Sequence, residues 1–280
     1  MAVRKPAVAG SFYPSKKSEL SAMIGDCYLH PLGPGRLPPA PAGRAKVVAV
    51  VSPHAGYEYS GPVAAHSFLH VSSLSDPNLI VVVAPNHYGI GSGVSTFREG
   101  EWETPLGRMK VDSESAAQLA RSSEAVAFDP EAQRLEHSLE VQLPFLQEIY
   151  GDSVPFLPIS LLFQDPDTAK EVASAIVNVV GGRKAVLVAS SDLTHYEPAD
   201  VARKKDAELL DSIVRMDSEA FYATLERLQV TACGYGPIAT VMEASLALGL
   251  RRGELLKYAS SGDTTGDNSQ VVGYGSLRFV

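Results

Sequence analysis

Three runs of five or six apolar residues, within 46–52, 79–84 and 185–190, each end in a short polar segment. Apolar runs without polar alternation predict strands buried on both faces of a parallel sheet. Between them the spacing turns helical. Asp165, then Pro166, an apolar stripe at Val172, Ile176 and Val180, and finally Gly181 and Gly182 predict a capped helix that feeds strand 185–190. Asp112 is placed to cap a helix over 113–121. Helical stretches are also expected at about 16–28, 198–216, 218–228 and 237–248, with a run at 63–71 after the first strand. Residues 132–150 read as one helix that Pro144 kinks or interrupts. A further strand is expected at 154–159. Residues 255–260 and 270–279, around a turn region at 262–268, predict an antiparallel hairpin at the sheet edge. Together these elements predict a single α/β domain over 1–280, its central mostly parallel or mixed sheet flanked by helices. Residues 31–43 carry five prolines and three glycines and predict an exposed loop.

Composition narrows the function. The 280 residues are 45% hydrophobic, enough for a substantial core, and the formal charge is −8. That balance disfavours nucleic acid and anionic membranes as partners, since both require clustered Lys and Arg. The longest basic run, Arg203-Lys204-Lys205, continues directly into Asp206. No signal-like or membrane-spanning stretch is evident, so a soluble, cytoplasmic protein is expected. Cys27 and Cys233, the two cysteines, lie in different contexts and predict free thiols, with Cys27 in the core.

The polar segments after the strands carry the chemistry. His54 follows Pro53 and precedes Gly56; His87 follows Pro85 and precedes Gly89. In parallel sheets ligands bind beyond the carboxyl ends of the strands, so His54, His87, Asp192 and His195 are expected on one rim. Asp192 and His195 lie three apart, a carboxylate able to ligate or orient and an imidazole suited to acid/base work. His137 and Glu140, also three apart, share a helical face, and His137 is a candidate hydrogen-bond donor to the site. Cys233, beside Gly234 and Gly236, has three readings: a ligand completing a His-His-Cys set, a nucleophile paired with His195, or a buried inert thiol. His66 and His70 have i, i+4 spacing but lack the Glu of a helical zinc-protease motif, and no nucleotide-binding glycine motif is present.

Gly10-Ser11-Phe12-Tyr13-Pro14, Pro53-His54-Ala55-Gly56-Tyr57, Pro85-Asn86-His87, Thr104-Pro105-Leu106-Gly107, Glu136-His137-Ser138-Leu139-Glu140, Ser190-Ser191-Asp192-Leu193-Thr194-His195 and Cys233-Gly234-Tyr235-Gly236-Pro237 follow one another in this order. With these motifs the chain resembles the Memo family, whose prokaryotic members are called AmmeMemoRadiSam system protein B. The resemblance implies a fold like that of class III extradiol dioxygenases. It implies His54, His87 and Cys233 as metal ligands, the cysteine standing where those enzymes use a carboxylate, and His195, Asp192 and His137 as catalytic residues lining the same pocket. Iron is the expected metal, with copper and zinc as alternatives, and a radical-SAM or AMMECR-type protein is a partner that the family name implies.

Three functions follow. One is a redox-active, non-haem metal enzyme resembling a dioxygenase; the second is a pocket that binds a peptide or small ligand without catalysis; the third is metal buffering or redox sensing without turnover. A thiolate in place of a carboxylate changes the metal's softness and can itself be oxidised, so the resemblance carries a fold and a site further than it carries a reaction.

Overall fold

The apolar runs become strands because each can satisfy two cores at once. In β2 (Val47–Ser52), Val48 and Val50 pack on one side and Ala49 and Val51 on the other. The same alternation divides β3 (Leu79–Pro85) and β9 (Ala185–Ser190) between the two cores. A fully polar face on any of them would leave unpaired groups in a dry layer. The computed structural model describes residues 2–43 and 45–280.

The remaining strands are β1 (Val3–Arg4), β4 (Val94–Thr96), β5 (Glu101–Thr104), β6 (Gly107–Lys110), β7 (Val126–Phe128), β8 (Phe156–Leu161), β10 (His195–Glu197), β11 (Gly253–Ser260) and β12 (Val271–Phe279). The large sheet runs β10-β12-β2-β9-β3-β8-β4-β7, with β11 also paired to β12. Its centre, β2-β9-β3-β8, is parallel; β12 and β4 run antiparallel on either side, so the sheet is mixed. A small sheet, β1-β5-β6, covers the start of the chain.

Helices α1 (Lys17–Leu29), α2 (Tyr57–Val71), α4 (His137–Glu140) and α5 (Leu143–Tyr150) contribute to the core on one face. On the other lie α3 (Ser113–Ser122), α6 (Pro166–Val180), α7 (Ala199–Val214), α8 (Ser218–Leu228) and α9 (Tyr235–Ala247). The expected caps form: Asp112 accepts from Ser115 N–H at 3.1 Å, Asp165 from Asp167 and Thr168 N–H, and Gly181 ends α6 in the left-handed region. Among the described residues no helix is long and apolar enough to cross a membrane.

Three expectations need correction. Residues 132–150 are not one kinked helix: a 3₁₀ turn at Glu131–Gln133, then α4, then α5 replace it, and Pro144 sits in the first turn of α5, where its missing N–H costs nothing. The closing pair is antiparallel, but only β11 is at an edge; β12 is inside the sheet, and the connection contains α10 (Ser261–Thr265) with a Ser260/Asp263 capping box. The run expected at 63–71 is longer, since α2 begins at Tyr57 directly after the His54 turn, and strands β1, β4, β5, β6, β7 and β10 are additional elements.

Candidate functional site

The parallel centre of the sheet sets the site. Since β9 lies between β2 and β3, the segments beyond their carboxyl ends, carrying His54, Asp192 with His195, and His87, are neighbours. Cys233 arrives from the loop before α9. That loop can lie on the end of β9 because a Cβ at Gly234 would meet Ser190 O at 2.3 Å, so only glycine fits. Gly234 N–H donates to Ser191 Oγ at 2.9 Å, and Gln164 clamps the segment by donating to Cys233 O at 2.9 Å and accepting from Gly236 N–H at 2.8 Å.

The donor atoms of His54, His87 and Cys233 lie within 4.8 Å of one another, as do those of Asp192, His195 and Cys233. His87, Glu136 and His137 form a third such group. The rings of His87 and His137 stack at 4.7 Å between centroids, and His54 stands edge-on to both at 5.2 and 5.5 Å.

Hydrogen bonding at Nδ1 decides which nitrogen each histidine presents. Ser190 Oγ has one proton, which goes to the Ser138 carbonyl at 2.7 Å; it also accepts from Gln142 Nε2 at 2.7 Å. His54 Nδ1, 2.9 Å away, must therefore donate to Ser190, leaving the Nε2 lone pair free. His87 Nδ1 donates to Glu136 Oε1 at 2.9 Å, which in the neutral ring puts the lone pair on Nε2 as well. His195 Nδ1 meets two carbonyls, Leu193 O at 2.7 Å and Thr231 O at 3.0 Å, and must be the donor there. Three imidazoles are thus held as Nδ1–H tautomers with Nε2 available.

His54 is buried, and burial, followed by the charges of His87, His137 and His195, drives its pKa well below the ordinary imidazole value. Burial likewise holds His137 at about 4, against the opposing charge of Glu136. Both rings are neutral near pH 7. Cys233 Sγ lies 3.1 Å from His54 Nε2 and accepts from Asp192 N–H at 3.4 Å. Burial, with the Asp192 charge second, pushes the thiol pKa up, so without a cation Cys233 keeps its proton and donates it to the His54 lone pair. The carboxylate of Asp192 accepts from His54 N–H at 2.8 Å, and burial raises its pKa against that bond.

Glu136 is the residue that the sequence did not single out. It is fully buried and accepts from His87 Nδ1, from His87 N–H at 2.6 Å and from Ser138 N–H at 2.9 Å. Burial raises its pKa, but the His87 hydrogen bond and the neighbouring imidazoles outweigh this and hold it at about 2. A carboxylate so committed orients His87 and has little capacity left to ligate. Ser190, Gln142 and Gln164 are the other residues missed. His137 and Glu140 share α4 but serve different places: His137 joins the histidine cluster, with Phe12 4.8 Å away, whereas Glu140 turns to Arg4. Cys27 is buried beneath α2 with its thiol 3.9 Å from Tyr57 O, apart from this site.

The chain matches known proteins along nearly its whole length. Residues 4–278 match the family described as Memo-like protein. A MEMO1 family protein of Methanopyrus kandleri is 48% identical over 278 residues, covering 99% of this chain and 98% of the relative. One from Nitrosopumilus maritimus is 46% identical over 278 residues, covering 99% and 100%. Among solved structures, an uncharacterised Escherichia coli K12 protein shares the fold with a TM-score of 0.55 at 14% identity, over 83% of this chain and 99% of its own.

Proposed function

This chain belongs to the Memo family, and from that premise we propose that His54, His87 and Cys233 hold one metal ion, iron before copper or zinc, in a redox-active centre resembling that of non-haem dioxygenases. The observation that carries the reading is the fixed tautomers. Histidines that bind metals characteristically donate their other ring N–H to a carboxylate or another acceptor, as His87 does to Glu136 and His54 to Ser190.

The donor set fits such an ion. Two imidazoles and one thiol have their donor atoms within 4.8 Å of one another, and soft thiolate with imidazole suits iron, copper and zinc. The Cys233 proton, now shared with His54 Nε2, is the one that binding would displace. Iron bound there would supply a Lewis acid and a one-electron redox couple.

The chain's own groups supply the rest. His195, with Nδ1–H spent on two carbonyls, presents a basic Nε2 for proton transfer. His137 is a neutral ring that can donate to a bound ligand. Asp192 fixes the backbone of His54 and sets a negative charge beside the thiol. The test is elemental analysis of anaerobically purified protein. Near one equivalent of iron, lost in both His54→Ala and Cys233→Ser, is expected; metal-free protein after anaerobic reconstitution would remove the proposal and leave a binding pocket.

A further inference from the structure

The proline- and glycine-rich loop and the His66/His70 pair take no part in this centre, yet the fold brings them together. Arg36 and Pro39 from the loop, His66, Leu69 and His70 from α2, and Leu256 and Arg278 from the β11–β12 pair line a cavity of about 330 Å³. The loop is fastened around it. His66 Nε2–H donates to Leu32 O at 3.0 Å, Gly35 N–H to Tyr28 O at 2.9 Å, and Gly43 N–H to Ser73 O at 2.7 Å.

Charge in this cavity runs against the acidic whole. Arg36 and Arg278 line it, and the charge of Lys257 acts on His66. Glu254 is the acid that acts on His70, and it is shared between Arg278 at 2.5 Å and Arg252. Arg36 has no ion pair among the described residues. Burial and then the Arg278 charge lower His70 to about 4, against the pull of Glu254. Pro39, Leu69 and Leu256 give the cavity apolar lining as well.

We propose that this cavity binds a small organic phosphate, its phosphate group held between Arg36 and Arg278 and its carbon skeleton against Pro39, Leu69 and Leu256. A guanidinium fork matches phosphate oxygens, and Arg36 offers a whole one, whereas Arg278, with Nε and Nη2 held by Glu254, has Nη1 left to contribute. The volume lies in the range of small-ligand pockets, more than an inorganic anion needs. The carboxyl end of α2 faces this cavity, and its dipole opposes an anion, so the guanidinium groups must supply the attraction. Along α2, which starts at Tyr57, His66 and His70 lie roughly 14 and 20 Å from the end that adjoins the His54 segment.

The full chain titrated with ribose 5-phosphate and glycerol 3-phosphate, with ribose and inorganic phosphate as controls, tests this by calorimetry and by the imidazole resonances of His66 and His70. At least one ester should bind saturably with Kd on the order of 0.1–1 mM, at least tenfold tighter than inorganic phosphate, with ribose silent. The added negative charge should raise the His70 pKa. Arg36→Glu, on an exposed loop, should weaken the ester at least tenfold, and Cys233→Ser should leave it unchanged. Silence of both histidines with both esters, full retention in Arg36→Glu, or inorganic phosphate binding as tightly as the ester would overturn the proposal.

Discussion

Two carboxylates four residues apart, Glu136 capping one short helix and Glu140 ending it, are both fully buried, yet they do different work. Glu136 spends its lone pairs on His87 and thereby faces the pocket. Glu140 turns away, pairs with the buried guanidinium of Arg4, and accepts from Ala7 N–H at 2.7 Å, Val8 N–H at 3.1 Å and the Tyr13 hydroxyl. Arg4 also donates to Glu136 O at 2.7 Å and lies over the Trp102 ring at 4.3 Å. One carboxylate therefore aims a side chain, and the other fastens residues 4–13 to α4. Burial alone does not separate a positioning group from a scaffold group; the partners do.

Substitutions should separate the two. Glu140→Ala leaves a buried guanidinium and three donors unmatched, and should cost about 3–5 kcal/mol in a chemical denaturation experiment. Adding Arg4→Ala should cost less than the sum of the two single changes, since the stranded charge is then gone; strict additivity would break the pairing argument. Glu136→Gln keeps the shape and should cost only about 1–2 kcal/mol of stability, while lowering metal affinity about 10–100-fold. Ser190→Ala removes the acceptor of His54 Nδ1–H, and competition with a chelator should show about a tenfold loss. Thr231→Val frees His195 N–H from its 2.7 Å bond and should leave metal affinity within about twofold, because only affinity terms near the ion are large.

The central strands were legible because a strand buried on both faces must be apolar throughout, as 79–84 is. Residues 94–96 and 126–128 were not legible, since three residues are too few for alternation to register. Pro144 marked a real break, but a proline that interrupts a helix and one that starts a new helix look alike until the preceding turn is seen. At the site, His54, His87, Asp192, His195 and Cys233 stood out by their place after strands or beside glycines. Glu136 did not: it lies 49 residues from the His87 it orients, and a glutamate before a histidine has the appearance of an ordinary helix start. Ser190, Gln142 and Gln164 act through contacts equally remote along the chain.

The most direct measurement is X-ray absorption at the metal edge of protein loaded anaerobically with one equivalent of iron(II), beside Cys233→Ser. One sulfur scatterer at about 2.3 Å together with imidazole scattering, the sulfur absent in the variant, is the predicted result. A first shell of oxygen and nitrogen alone in the unmodified protein would contradict the His-His-Cys centre.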